Sequence, residues 1–479
     1  MNAAVLRRSF TLGAAEFSRK ILLAATVLLC ARFLPPEVFG DYVFLLSFYQ
    51  IFAVLGGAGL PSSLLRAVAR GQGRGMRLGF VSVIARLVYI VPTAGLMYLA
   101  MRLMSFSAQY LPALGLLVLM MVVRGASENV TFIFQGNEDQ TSSAKVGVSQ
   151  SAVTLVATLA ICLTSKSLLL LIAAHVIGGF ASAVYGFTLL RFKVGRKNES
   201  ETIFAETRSL LNESHWLNAG TFVASVYNRI DVLLLRRLLT SAAVAVYAAP
   251  YRILDLTQII PSSLTATILP GLCRNGETNP GLASPRTAMR FLLVIAFGLI
   301  ITVTAAAPWM TYLLFGPKYQ GSIPVLQILV WATVPMFWNF VLNAQLIAHS
   351  FDRAILYGAS IALVVNVALN LLLIPRFGYM ACAAVTVITE FALLSTNLYL
   401  VSVIGAAGFP ERLGRLALTG IFLGGFCLCR YWAGTRYLWI EGALLVFGAL
   451  SAPISRSDFS MSGMAKQAVA AQTTARAVG

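Results

Sequence analysis

Residues 288–315 read AMRFLLVIAFGLIITVTAAAPWMTYLLF, and from Phe291 onward the run meets no charged residue until Lys318. A helix crossing the hydrocarbon core of a bilayer needs ~20 apolar residues. In lipid every backbone polar group must be satisfied within the segment, so a run of this length is a helix long enough to span. Working outward, similar runs recur along the chain, about fourteen in all: roughly 12–34, 40–60, 77–103, 110–134, 143–164, 167–190, 212–238, 243–270, 288–315, 322–347, 353–374, 379–404, 412–430 and 436–454. Composition agrees. The chain is 58% hydrophobic and 11% charged, with mean hydropathy +0.80, whereas a soluble domain carries about 25% charged residues. The expectation is an all-α polytopic membrane protein.

The net charge of +18 does not make a nucleic-acid surface, because Lys and Arg fall in short clusters between apolar runs. Such clusters mark cytoplasmic loops. With the N-terminus inside, Arg7, Arg8, Arg66, Arg70, Arg74, Arg77, Arg191, Lys193, Arg196 and Lys197 all fall on the cytoplasmic side. The outside segments hold fewer: Arg32, Arg102, Lys166, Arg236, Arg237, Lys318, Arg376, Arg430 and Arg436. Both termini are therefore expected in the cytoplasm, in a bacterial inner membrane, with Arg236 and Arg237 standing against the rule. RRSF at residues 7–10 resembles a twin-arginine export signal, but ahead of many spans it reads as a charge anchor. The six cysteines are scattered and read as apolar filler, no metal set accompanies them, and no cofactor is expected.

A weak repeat suggests two halves. VFGDY (38–42) follows the first span and VAVY (244–247) the seventh, while Asp139 and Asp352 precede the fifth and eleventh. Repeated halves are common in secondary transporters. The expected organisation is a six-helix bundle over 1–207, a second over 208–407, two additional spans over 408–454 and a cytoplasmic tail over 455–479.

Several short stretches, in order, resemble one family. LPPEVFGDY (34–42) resembles the turn after the first helix of Wzx-type polysaccharide flippases of the MOP superfamily. RID (229–231), VYAAPYRI (246–253) and ILP (268–270) are similar to the region of the seventh and eighth helices, and FGPKY (315–319) to a later turn. The most specific piece is NVALN (366–370), then LIPRFG (373–378), Ala383, Ala384, Thr386 and Glu390. The resemblance implies a V-shaped pair of six-helix bundles working by alternating access. It implies as partners an undecaprenyl-diphosphate-linked oligosaccharide, moved from the cytoplasmic to the periplasmic leaflet, with membrane lipids around it and a polysaccharide polymerase or co-polymerase downstream.

Read physically, a diphosphate-linked glycan needs a polar, cationic path, and charges inside spans usually face one. Arg124 and Glu128 share a helical face at i, i+4, able to pair with each other, with Asn129 beside them. Arg86 sits mid-span, too deep for easy snorkelling. Arg66 belongs to a basic segment following Gly56 and Gly57. Arg229 and Asp231, then Arg252 and Asp255, cluster around the turn between spans seven and eight; guanidinium suits bidentate phosphate binding. Asn339 and Asn343, and Asn366 and Asn370, are i, i+4 amide pairs able to bond sugar hydroxyls or neighbouring helices. Glu390 is a lone carboxylate in an apolar run. The substrate-binding candidates are thus Arg66, Arg86, Arg124, Arg229, Arg252, Asn339, Asn343, Asn366 and Asn370. Glu128, Asp231, Asp255 and Glu390 are candidates for coupling to H+ or Na+.

A membrane polymerase or ligase of the same pathway would generally need a large extramembrane loop with catalytic groups, and none is evident. The chain has no HExxH and no GxxxxGK[ST]. An ion-coupled exporter of drugs or lipid II is the other transporter reading, and the excess of mid-span cations favours an anionic substrate over a cationic drug.

Overall fold

A computed structural model describes residues 3–57, 60, 64, 65, 68, 76–104, 106, 108–193, 215–275, 285–349 and 351–403. The apolar runs become helices: α1 (Ala3–Phe33), α2 (Pro36–Gly57), α3 (Met76–Leu103), α4 (Leu111–Gly136), α5 (Gln140–Thr164), α6 (Leu168–Lys193), α7 (His215–Tyr227), α8 (Ile230–Leu238), α9 (Ser241–Thr257), α10 (Ile259–Asn275), α11 (Pro285–Phe315), α12 (Ser322–Leu329), α13 (Thr333–Ala348), α14 (Asp352–Phe377) and α15 (Tyr379–Val403). Among the described residues nine segments are long and apolar enough to cross a membrane, with α12 and α13 counted as one. The last two expected spans, 412–430 and 436–454, lie outside the described residues, as do Arg66 and the tail.

Two expected spans are broken. The run 212–238 turns at Asn228 and Arg229, between α7 and α8. The run 243–270 turns at Gln258, between α9 and α10. Pro261 explains the second break: without an N–H it cannot bond the carbonyl of Thr257 four residues back. Polar residues cluster at the first break, where Asn228 and Arg229 interrupt the apolar run.

The turns between long helices have local causes. Asp139 caps α5, accepting from Ser142 N at 3.0 Å and Ser142 Oγ at 2.7 Å, while Lys193 Nζ reaches the same carboxylate at 2.8 Å. Gly378 (φ +63) closes α14 in the left-handed region, its N–H on Ile374 O at 2.8 Å. Arg32 and Lys318 cap each other's helices. Arg32 Nη1 donates to Tyr312 O (3.0 Å) and Leu313 O (3.3 Å) at the end of α11. Lys318 Nζ donates to Arg32 O (3.0 Å) and to Leu34 O at the end of α1. Both satisfy carbonyls that a helix end leaves open, and place positive charge at the negative pole.

Two compact units result. The first takes in the chain up to Arg252 with Thr311–Gln320 and Ile374–Tyr379; the second takes in Ile253–Met310, Gly321–Leu373 and the chain from Met380 on. In the first, α1 packs along α5, α6 lies between α4 and α5, and α3 packs on α2 and α4. Small residues permit the close approaches. A side chain at Gly178 would meet Thr154 Oγ1 at 2.0 Å, and one at Gly179 would meet Arg124 Cγ at 2.8 Å. Gly40 on α2 lies so close to the start of α9 that a Cβ there would sit 1.8 Å from Ser241 O. Leu60, Leu64 and Val68 recur at helical spacing and are buried against Val81, Ala85, Val130 and Phe134. In the second unit the α12–α13 segment is the most enclosed span, with Phe337, Val341 and Leu342 packed against Leu292, Ala296 and Leu394.

Candidate functional site

The first unit encloses a cavity of about 690 Å³, within the 300–1,000 Å³ usual for ligand sites. Its walls come from α1, α2, α3, α4, α5 and α7, and its charged lining is Arg19, Arg86, Arg124 and Glu128. Three guanidiniums against one carboxylate make the lining net positive.

Each of these side chains is placed by neighbours. The Arg86 side chain is only 4% exposed; its Nη2 donates to Glu128 Oε2 at 3.0 Å and Asn129 Oδ1 at 2.8 Å. Asn129 is itself fixed, donating from Nδ2 to Ser82 O and Ser82 Oγ, both at 3.1 Å. Gly125 makes room: a Cβ there would lie 2.3 Å from Arg86 Cδ. The Glu128 side chain is 50% exposed. The pairing expected along α4, Arg124 with Glu128, is made across helices instead, Arg86 with Glu128. The Arg124 guanidinium stands over the Tyr49 ring, 5.7 Å from its centroid. With the Gln150 amide oriented so that both its ends are satisfied, its oxygen accepts from Arg124 Nε at 2.6 Å and Nη2 at 3.1 Å.

Gln50 links this lining to the broken helix, because Arg229 Nε donates to its Oε1 at 2.7 Å. Arg229, Asp231 and Arg252 surround a much smaller pocket with Tyr247 and Tyr251. There the Tyr247 hydroxyl donates to Asp231 Oδ2, and Asp231 Oδ1 accepts from Val232 N at 2.8 Å. Asp255, one turn beyond Arg252, belongs to the second unit and is half-buried.

The remaining candidates lie in the second unit, in two groups. Asn339 Nδ2 donates to Glu390 Oε2 at 3.1 Å, and Asn397 Nδ2 donates to Asn339 Oδ1 at 3.1 Å and Asn343 Oδ1 at 3.3 Å. This network ties α13 to α15. Asn366 and Asn370 bond each other along α14, Nδ2 to Oδ1, at 2.9 Å. Arg19, Tyr49, Gln50, Gln150 and Asn397 were not among the sequence candidates. Arg19 falls inside the first expected span, and the signal in all five is a polar group within an apolar run.

Arg236, one of the two outside residues that opposed the charge rule, donates from Nε to Asp41 Oδ1 at 3.0 Å and from Nη2 to Tyr110 OH at 2.8 Å. Its guanidinium also lies over the Phe106 and Tyr110 rings. Its charge is matched by a neighbouring carboxylate and so weighs less on orientation.

Comparison with known families matches residues 5–275 to the family described as polysaccharide biosynthesis protein. The chain belongs to that family. A curated relative of this chain is Agl15 of Haloferax volcanii, a probable low-salt glycan biosynthesis flippase, 23% identical over 193 residues. That match spans 39% of this chain and two-fifths (40%) of the relative's length. Among solved structures, the lipid II flippase MurJ in an inward closed conformation superposes with TM-score 0.63 at 13% identity, covering 92% of this chain and 97% of MurJ. An inward-facing multidrug resistance MATE transporter of the MOP superfamily gives 0.61 at 15%, covering 81% and 96%. A MOP superfamily transporter from Pyrococcus furiosus gives 0.60 at 15%, covering 86% and 96%. The chain thus has the fold of these structures, as its motifs led one to expect, and with nine described segments long and apolar enough to cross a membrane it is a multi-pass membrane protein.

Proposed function

We propose that this chain translocates an undecaprenyl-diphosphate-linked oligosaccharide from the cytoplasmic to the periplasmic leaflet of a bacterial inner membrane, by alternating access, during surface polysaccharide biosynthesis. The observation that carries the proposal is the cavity lined by Arg19, Arg86 and Arg124. A diphosphate cannot enter hydrocarbon unpaired, and guanidinium offers it two parallel donors. Family membership and the flippase activities named for Agl15 and MurJ support a glycan on a lipid carrier as the cargo.

In this reading Arg124, half-buried against Tyr49 and Gln150, is the forward contact. Arg86 is held by Glu128, and an arriving diphosphate competes with that carboxylate for the same guanidinium. Glu128, Asp231, Asp255 and Glu390 are the groups through which H+ or Na+ would couple. The amides Asn339, Asn343, Asn366 and Asn370 serve sugar hydroxyls or helix packing, Arg252 serves the anion outside this cavity, and Arg66 serves it from the basic segment that follows Gly56 and Gly57. A polysaccharide polymerase or co-polymerase would take over the delivered glycan.

The test is deletion of the gene, extraction of polyprenyl-linked lipids with mass spectrometry, and a leaflet-accessibility assay. The expected outcome is a complete lipid-linked oligosaccharide accumulating on the cytoplasmic side, restored to normal by the wild type and not by Arg124→Ala. The same intermediate trapped on the periplasmic side would sink the proposal.

A further inference from the structure

Away from the cavity, three cations meet at one end of the first unit. Arg32 comes from the last turn of α1, Lys166 from the turn between α5 and α6, and Lys318 from the turn after α11. All three are exposed, and none lines the cavity. The Lys166 backbone is in the left-handed region (φ +53), its N–H on Ile161 O at 2.9 Å. Cys162 Sγ, on the helix that leads into that turn, lies 4.0 Å from Cys30 Sγ, which brings the turn to the end of α1.

The capping bonds do not exhaust the donors. Arg32 uses Nη1 on Tyr312 and Leu313, and Lys318 uses two of three N–H groups on Arg32 O and Leu34 O. Nε and Nη2 of Arg32, one N–H of Lys318 and the Lys166 ammonium have no hydrogen-bond partner among the described residues. Gathering like charges is unfavourable, and Lys318 registers it. Burial, then Lys166 and Arg32, hold its ammonium below the ordinary lysine value, with Glu37 opposing. Beside the cations four apolar or aromatic side chains are exposed, Phe33, Leu163, Tyr312 and Leu313, together with the polar Glu37, Thr164 and Ser165. Cations above an apolar, partly aromatic skirt are the arrangement of a membrane–water boundary.

We infer that Arg32, Lys166 and Lys318 hold the phosphate of an anionic glycerophospholipid, whose acyl chains lie against Phe33, Leu163, Tyr312 and Leu313. The skirt selects a lipid over a free anion, because a soluble phosphate gains nothing from it. Bound there, the headgroup answers three charges from three elements and fastens the ends of α1, α5 and α11 together.

The experiment uses the purified full-length chain in a neutral detergent, with dioleoyl-phosphatidylglycerol as probe and thermal unfolding as readout. Phosphatidylglycerol is expected to raise Tm by about 2–4 °C, and dioleoyl-phosphatidylcholine to do so far less. Lys166→Gln is expected to halve the phosphatidylglycerol shift or more while leaving the lipid-free Tm unchanged or slightly raised, since the Lys166 side chain makes no hydrogen bond in the fold and its loss relieves repulsion at Lys318. Lys166→Arg should keep the response. Native mass spectrometry should count one phosphatidylglycerol fewer on Lys166→Gln. Equal shifts from the two lipids, a full response from Lys166→Gln, or the same stabilisation by inorganic pyrophosphate in place of lipid would each overturn the inference.

Discussion

Arg86 holds its charge almost out of reach of solvent, and Glu128 and Asn129 answer it. Removing it leaves a buried amide oxygen without its donor, so Arg86→Ala should cost about 1–3 kcal/mol of stability as well as transport. Arg124 is different: it leans on Tyr49 and Gln150 at the cavity wall, and Arg124→Ala should cost transport with under about 1 kcal/mol of stability. Thermal unfolding in detergent beside complementation of a deletion strain separates the two. Gly125→Ala makes a finer test, because the added methyl collides with Arg86 Cδ and must push the guanidinium aside. It should reproduce the transport loss of Arg86→Ala although no charge is removed; normal complementation by this variant would mean that the position of Arg86 does not matter. The sequence singled out Arg86 and Glu128 as costly intramembrane charges. It could not pair them, because spacing along one helix pointed Glu128 at Arg124, while the actual partner depends on how α3 and α4 pack.

At the level of elements, the Asp139 cap joins α5 to the end of α6 through Lys193. Burial pushes the Asp139 carboxyl up, but bonds from Lys193 and Ser142 outweigh it and hold the group below the ordinary carboxylate value. A folded-state value below the unfolded one stabilises above the unfolded value, and that contribution is lost as pH falls through the folded one. The wild type should therefore lose Tm as pH falls below the ordinary carboxylate value of about 4, by an amount worth under about 1 kcal/mol for so exposed a pair. Asp139→Asn keeps a capping oxygen and should flatten that part of the curve. Identical curves for the two would remove the charge from the account. The glycines of α6 make a second prediction. Gly178→Val drives a side chain into Thr154 and the Gln150 carbonyl, an overpacking that should cost about 1–3 kcal/mol in thermal unfolding. The long spans were readable because uninterrupted apolar runs leave little choice. The breaks at Asn228 and Gln258 were not, because hydrophobicity alone does not record where a helix changes direction.

For the whole molecule, the orientation proposed from the charge pattern would turn α4–α5 in the cytoplasm and α5–α6 outside. In a cysteine-free background on intact cells, a membrane-impermeant maleimide should label Lys166→Cys and leave Glu138→Cys untouched until the membrane is permeabilised. The opposite pattern would invert the topology. Three of the basic residues on the outer side have local roles: Arg236 faces Asp41, while Arg32 and Lys318 cap helix ends. The family was legible from scattered motifs, and one of them owes its residues to a single contact. In VFGDY, Gly40 leaves no room for a side chain, since a Cβ there would lie 1.8 Å from the Ser241 carbonyl oxygen, and Asp41 accepts from the Ser241 hydroxyl at 2.6 Å. Residues two hundred positions apart are thereby bound to a common history. Mass gained at position 40 has to be matched by retreat of the backbone at 241, so neither segment can be exchanged between relatives without the other, and chimeras that split them should fail even where each half is sound.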